Sequence, residues 1–144
     1  MTSVRHLLAR KGGEIWSIGP EDTVFDAIKM MADKNIGSLV VMEDGRLVGL
    51  ITERHYARNV VLKGRASPKT RVREIMEPNV IYVRPDHTVE QCMALMTSKM
   101  VRHLPVIESE NLLGIVSIGD LVKSIIRDQK FTIEQLEHYI SGTR

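Results

Sequence analysis

Apolar residues recur at three-and-four spacing over Val24, Ala27, Ile28 and Met31, and again over Val89, Cys92, Met93 and Met96. Each series follows a threonine, Thr23 or Thr88, so the pattern predicts two helices, each with one apolar face and a threonine N-cap. Behind the first lies Ser38-Leu39-Val40-Val41-Met42, then Glu43-Asp44-Gly45, then Arg46-Leu47-Val48-Gly49-Leu50-Ile51. This reads as two strands joined by an Asp-Gly turn. The same arrangement returns from His103 to Val116. A further helix is expected after each hairpin, about Glu53 to Lys63 and Ile118 to Lys130.

The two series are copies of one unit. Ile18 to Tyr56 lies over Val83 to Leu121 without a gap, at an offset of about 65 residues and with about ten identities in roughly forty positions. Pro20 falls on Pro85, Thr23 on Thr88, Met31 on Met96, Leu39 on Leu104 and Gly49 on Gly114. Where identity fails the apolar character holds, as at Ile36 and Val101 or Ile51 and Val116. Val4-Arg5-His6-Leu7-Leu8 also resembles Val72-Arg73-Glu74-Ile75-Met76, so a short helix should precede each copy.

The fold class is therefore α/β (α+β), built from two β-α-β-β-α units, residues 4–64 and 72–130, within one module. One small sheet with helices on one side leaves an apolar face, so the units are expected to cover each other with pseudo-twofold symmetry. The connector from Lys63 to Arg71 has breaker residues and four positive charges, marking a solvated crossover. In the tail, residues 131–144, Thr132 and Gln135 suggest a capping box opening a last helix that ends near Gly142. Its Ile133, Leu136 and Ile140 would dock on the domain or on a second subunit.

Composition narrows the classes of function. The 144 residues are 43% apolar and 26% charged, enough for one ordinary core. Twenty basic against 18 acidic side chains leave a formal charge of +2, and aromatic content is 4%. That balance argues against nucleic acid or an anionic membrane as partner. No apolar stretch reaches membrane-spanning length, and charges interrupt the N-terminal apolar run too early for a signal peptide, so a cytoplasmic protein is expected. The single cysteine, Cys92, falls on an apolar helix face and reads as core. His6, His87 and His138 lack ligand spacing, so no metal is expected. The chain lacks a P-loop, a GxGxxG, a nucleophile elbow and a zinc-protease motif, which argues against an enzyme and against a catalytic cofactor.

Val101-Arg102-His103-Leu104-Pro105-Val106-Ile107 and Leu113-Gly114-Ile115-Val116-Ser117-Ile118-Gly119-Asp120-Leu121 resemble the signature of CBS domains. The resemblance covers nearly the whole chain. Gly49-Leu50-Ile51-Thr52-Glu53-Arg54 and Ile133-Glu134-Gln135-Leu136-Glu137 resemble the small bacterial members that stand alone. It implies a paired regulatory module (Bateman module), commonly a homodimer. Such a module binds an adenosine-type ligand (AMP, ADP, ATP, NAD or S-adenosylmethionine) between its repeats and signals to a client protein.

A nucleotide needs donors for phosphate, a carboxylate for the ribose diol and an apolar slot for the base. Ser117 and Asp120 stand three apart where strand passes into helix, so Ser117 and the free helix N–H groups can face an anion while Asp120 accepts from the diol. The resemblance adds Arg102 and His103 near the phosphates, Arg54 as a further phosphate contact, and Ile15, Trp16, Ser17, Ile36 and Gly37 as the base wall. A mirrored pocket would use Thr52 and His55 with Val80, Ile81, Tyr82 and Val101. There His55 stands in the carboxylate's place, and Gly37 and Ser38 replace the Arg-His pair. One strong site and one weak or empty one are expected. Ser-x-x-Asp at such a junction is also an ordinary helix cap, so a ligand-free structural dimerisation module is the alternative.

Overall fold

The computed structural model describes residues 2–140. Its chain order is α1 (Val4–Lys11), β1 (Ser17–Ile18), α2 (Val24–Lys34), β2 (Ser38–Glu43), β3 (Arg46–Thr52), α3 (Glu53–Tyr56), a π turn (Ala57–Val61), a 3-10 turn (Ser67–Lys69), α4 (Val72–Ile75), α5 (Val89–Lys99), β4 (His103–Glu108), β5 (Asn111–Ser117) and α6 (Ile118–Ile140). No helix among the described residues is long and apolar enough to cross a membrane.

The chain divides into two compact units, and their boundaries differ from those of the sequence repeats. Glu14–Ile81 forms one unit; the lead-in up to Gly13 joins the chain from Tyr82 onward to form the other. Each lead-in helix therefore packs with the repeat it does not precede.

In the Glu14–Ile81 unit the sheet order is β1-β2-β3, with β1 parallel to β2 and β2 antiparallel to β3. Thr23 caps α2 by accepting from the Asp26 amide at 3.2 Å, and Asn35 ends the helix in the left-handed conformation. The apolar face of α2, with Val24, Ala27 and Met31, packs in one buried cluster with Leu39, Val41, Ile51 and Val60. Val72 and Ile75 of α4 complete it. The α4 segment is pinned by amides of Val72 and Arg73 donating to carbonyls of Asp22 and Pro20, both at 2.9 Å. Beyond it Leu50 and Glu77 exchange amide bonds at 3.0 and 2.8 Å, so the backbone there lies close on Gly49. A Cβ on Gly49 would stand 3.1 Å from the Glu77 carbonyl oxygen and 2.6 Å from the Met76 sulfur.

The other unit repeats this construction. Val4 and Arg5 amides donate to His87 and Pro85 carbonyls at 2.8 and 3.0 Å, and Arg5 pairs with Glu108 at 2.8 Å. Leu8 of α1 meets Gly114 of β5, where a Cβ would stand 2.9 Å from a Leu8 methyl. Thr88 caps α5 with a full capping box to Gln91, and Cys92 lies on the buried face of that helix. The sheet is reduced to β4 and β5, with the counterpart of β1 surviving as a single parallel bridge between Val83 and Val106. Both hairpins turn through two residues of positive φ: Asp44 and Gly45 in the first, Ser109 and Glu110 in the second.

Two elements depart from the expected spans. The helix after the first hairpin does not run evenly to Lys63. It changes at Ala57 to a π turn, which the Leu62 amide closes on the Ala57 carbonyl at 3.1 Å. The wider turn leaves Val60 buried while Val61 and Leu62 face outward. The tail has no separate helix opened by Thr132. The Thr132 hydroxyl donates to the Asp128 carbonyl at 3.0 Å inside an uninterrupted α6. No glycine or proline stands between Leu121 and Ile140, so nothing breaks the helix where that cap would be needed. The expected end near Gly142 lies outside the described residues.

Candidate functional site

The polar residues singled out in the second copy gather at one strand-to-helix junction. The β4–β5 register sets His103 opposite Ser117, and the Ile118 amide donates to the Arg102 carbonyl at 2.9 Å. Strand β5 runs into α6 without a loop. There the Ser117 hydroxyl accepts from the Asp120 amide at 3.1 Å while Asp120 Oδ2 accepts from the Ser117 amide at 2.8 Å. This reciprocal pair is a capping box, and it satisfies two amides that the helix leaves open.

A residue absent from the sequence reading completes the junction. Lys11 Nζ donates to Asp120 Oδ2 and to the Ile115 carbonyl, both at 2.6 Å. Burial alone would push the Asp120 carboxyl up, but the bonds from Lys11 and Ser117 outweigh it and hold the group below its ordinary value. Asp120 is thus an ionised carboxylate at neutral pH, and the two donors use about half of its roughly four acceptor positions. Lys11 lies at the end of α1, 109 residues from Asp120 in sequence. No spacing rule joins residues so far apart.

In the Glu14–Ile81 unit the first copy builds the same junction with different chemistry. Ser38 pairs with Thr52 across β2 and β3, and the Glu53 amide donates to the Gly37 carbonyl at 3.1 Å. The Thr52 hydroxyl accepts from the His55 amide at 3.3 Å, and His55 Nδ1 accepts from the Thr52 amide at 3.0 Å. An imidazole thus does the capping work of Asp120. Burial, its main perturbation, lowers the His55 pKa; Glu77 opposes this, and Arg54 and Arg58 add to it. The ring is neutral, with Nδ1 as the acceptor.

The remaining candidates divide between the units. Ile15, Trp16, Ser17, Ile36, Gly37, Arg54, Val80 and Ile81 belong to Glu14–Ile81, whereas Tyr82 and Val101 belong with Arg102, His103, Ser117 and Asp120. Trp16 is exposed, with the Lys34 ammonium 4.1 Å from its ring centroid in a cation–π contact. Tyr82 is also exposed, and Ile36 and Val101 follow equivalent helix ends, their amides bonded to Met31 and Met96 carbonyls.

Comparison with known proteins agrees with the duplicated construction. The family model for the CBS domain matches twice, at residues 4–61 and 72–127. The Arabidopsis thaliana CBS domain-containing protein CBSX3, mitochondrial, is 40% identical over 136 residues. That match takes in 91% of this chain, which spans 66% of the plant protein's length. The solved structure of a CBS-domain protein from Burkholderia ambifaria MC40-6 is 49% identical and superposes with a TM-score of 0.86 over 89% of this chain and 96% of its own. The CBS domain pair of protein MJ0100, solved in complex with 5'-methylthioadenosine and S-adenosyl-L-methionine, shares the fold at 24% identity and a TM-score of 0.78, over 89% of this chain and 98% of its own. With both repeats matched by family and by fold, the chain belongs to the CBS-domain family.

Proposed function

We propose that this CBS pair, a regulatory module, senses an adenine nucleotide (AMP, ADP, ATP or NAD) through Ser117, Asp120, Arg102 and His103. The observation that carries the reading is the Asp120 carboxylate at the head of α6, held by the Ser117 amide and by Lys11. It is a carboxylate suited to a ribose diol, set beside a capping hydroxyl and a strand start bearing Arg102 and His103. The same fold in protein MJ0100 carries adenosine derivatives, which makes that ligand class the first to try. The His55 junction sets an imidazole in the place of the Asp120 carboxylate, and Gly37 and Ser38 in the places of Arg102 and His103, so it is the weaker site. Occupancy acts by favouring one of two states that a client protein distinguishes. The protein itself performs no catalysis and resides in the cytoplasm.

A thermal-shift panel of AMP, ADP, ATP, NAD, S-adenosylmethionine and GTP tests the reading, because a ligand that binds the native state alone raises the melting temperature. Stabilisation by an adenine ligand in the native chain, lost in Asp120→Ala, supports it. No shift from any adenine ligand favours the second reading, a dimerisation module without ligand. That reading draws on Val122, Ile126, Ile133 and Leu136, which form an exposed apolar stripe along α6. Under either reading the stripe pairs two copies, and Ile126→Glu with Leu136→Glu should yield monomers in sedimentation.

A further inference from the structure

Within the unit that contains α1 and α6, a cavity of 260 Å³ is lined by Arg10 and Lys11 from α1 and by Asp120, Lys123, Ser124 and Arg127 from α6. Its charge is unbalanced. Lys11 and Asp120 cancel one another as an ion pair, and none of the ion pairs among the described residues takes Arg10, Lys123 or Arg127. Lys123 and Arg127 stand four apart on one helix face, a spacing at which like charges repel. Ser124 supplies a second, independent observation. It is 5% exposed, and its Oγ is buried without a hydrogen-bond partner, the sole such side-chain atom among the described residues. A buried hydroxyl left in that state loses the bond it makes with water, so a group that accepts its proton is favoured there.

We propose that this cavity is an anion site for a compact diphosphate group, held by Arg10, Lys123 and Arg127 and by the Ser124 hydroxyl, with the Lys11–Asp120 pair as its inner wall. Three uncompensated cations match a group of several negative charges, and the guanidinium forks of Arg10 and Arg127 suit phosphate oxygens. The volume lies just under the roughly 300–1,000 Å³ of pockets that enclose drug-sized ligands, so a diphosphate fits the space better than a whole nucleotide. This anion site shares Asp120 as a wall with the nucleotide reading but does not rest on it, since the groups that hold the anion are Arg10, Lys123, Ser124 and Arg127 and the probe has neither base nor ribose. The diphosphate is either free or borne by a larger ligand.

Calorimetric titration of the full chain with inorganic pyrophosphate at fixed ionic strength tests it. The expected result is saturable binding, weakened at least about tenfold in Lys123→Gln/Arg127→Gln and several-fold in Ser124→Ala, and unchanged in the connector control Lys63→Gln/Arg65→Gln. Circular dichroism checks that each variant keeps its fold. Absence of saturable binding, equal loss in the connector control, or full binding in Lys123→Gln/Arg127→Gln would overturn the proposal. Displacement of pyrophosphate by ADP but not by adenosine assigns the diphosphate to a nucleotide; displacement by neither assigns it to the free anion. Adenosine binding that depends on Asp120 without pyrophosphate binding would leave the nucleotide reading intact and reject this one.

Discussion

His55 Nδ1 accepts from the Thr52 amide at 3.0 Å, the same bond that Asp120 Oδ2 makes with the Ser117 amide at 2.8 Å. The duplicated scaffold keeps the cap and changes the group that forms it. A carboxylate accepts at any pH above its own pKa, whereas an imidazole accepts at Nδ1 only while that nitrogen is unprotonated.

Stability should therefore respond to pH in two windows. The His55 pKa is lowered from 6.5 in the folded chain, so the unfolded chain takes up the proton more readily. The stability due to His55 is fully present above about pH 6.5 and falls as pH drops through the lowered folded value. Asp120 is also depressed in the folded state, so its contribution persists well below that window and is lost only at stronger acid, beneath about pH 4. Urea midpoints measured from pH 8 to 5 should decline more steeply for the native chain than for His55→Asn. Parallel curves would remove His55 from the account.

The two glycines under the lead-in helices should differ in their tolerance of a methyl group. At Gly49 the new Cβ meets the Glu77 backbone as well as Met76, while at Gly114 it meets the mobile end of Leu8. Gly49→Ala is expected to cost about 1–3 kcal/mol, an overpacking value, and Gly114→Ala less. Urea denaturation of the two variants decides the order.

The Ser109-Glu110 turn lacks the residues its geometry favours. Both have positive φ, 50° and 68°, as do Asp44 and Gly45 in the first hairpin. Replacing the pair by Asn-Gly should stabilise the chain by about 0.5–1 kcal/mol, read as a rise in melting temperature. A fall would show that Ser109 or Glu110 has a further role.

Much of the local architecture was legible because it follows from short-range chemistry. Thr23 and Thr88 cap the helices that their spacing suggested, and both hairpins turn where strand pattern and repeat placed them. The exchange of lead-in helices was not legible, since the apolar face of Val4 and Leu7 shows that it is buried without showing which repeat buries it. Lys11 was hidden for the same reason. A lysine in the last turn of a helix reads as a partner of the helix dipole, and only the tertiary fold brings it to Asp120. At the tail, Thr132 and Gln135 matched a capping pattern, but a local pattern cannot start a helix where a longer one already runs.

Restoring the carboxylate should equip the weaker junction. His55→Asp keeps an acceptor for the Thr52 amide and supplies a group suited to a ribose diol, so it is expected to increase nucleotide bound per chain. Equilibrium dialysis compares the stoichiometry of the variant with that of the native chain. Unchanged stoichiometry would mean that Gly37 and Ser38, in the places of Arg102 and His103, are sufficient to keep that junction empty.

Removing either cap acceptor lowers ligand-free stability by about 1 kcal/mol, so loss of a cap alone cannot separate the two junctions. Ligand binding can. The decisive measurement is calorimetric titration of the adenine nucleotide that most raises the melting temperature into the native chain, Asp120→Ala and His55→Ala. One strong site per chain is expected, abolished in Asp120→Ala and retained in His55→Ala. Binding that survives in Asp120→Ala and disappears in His55→Ala would overturn the assignment of the nucleotide to Asp120.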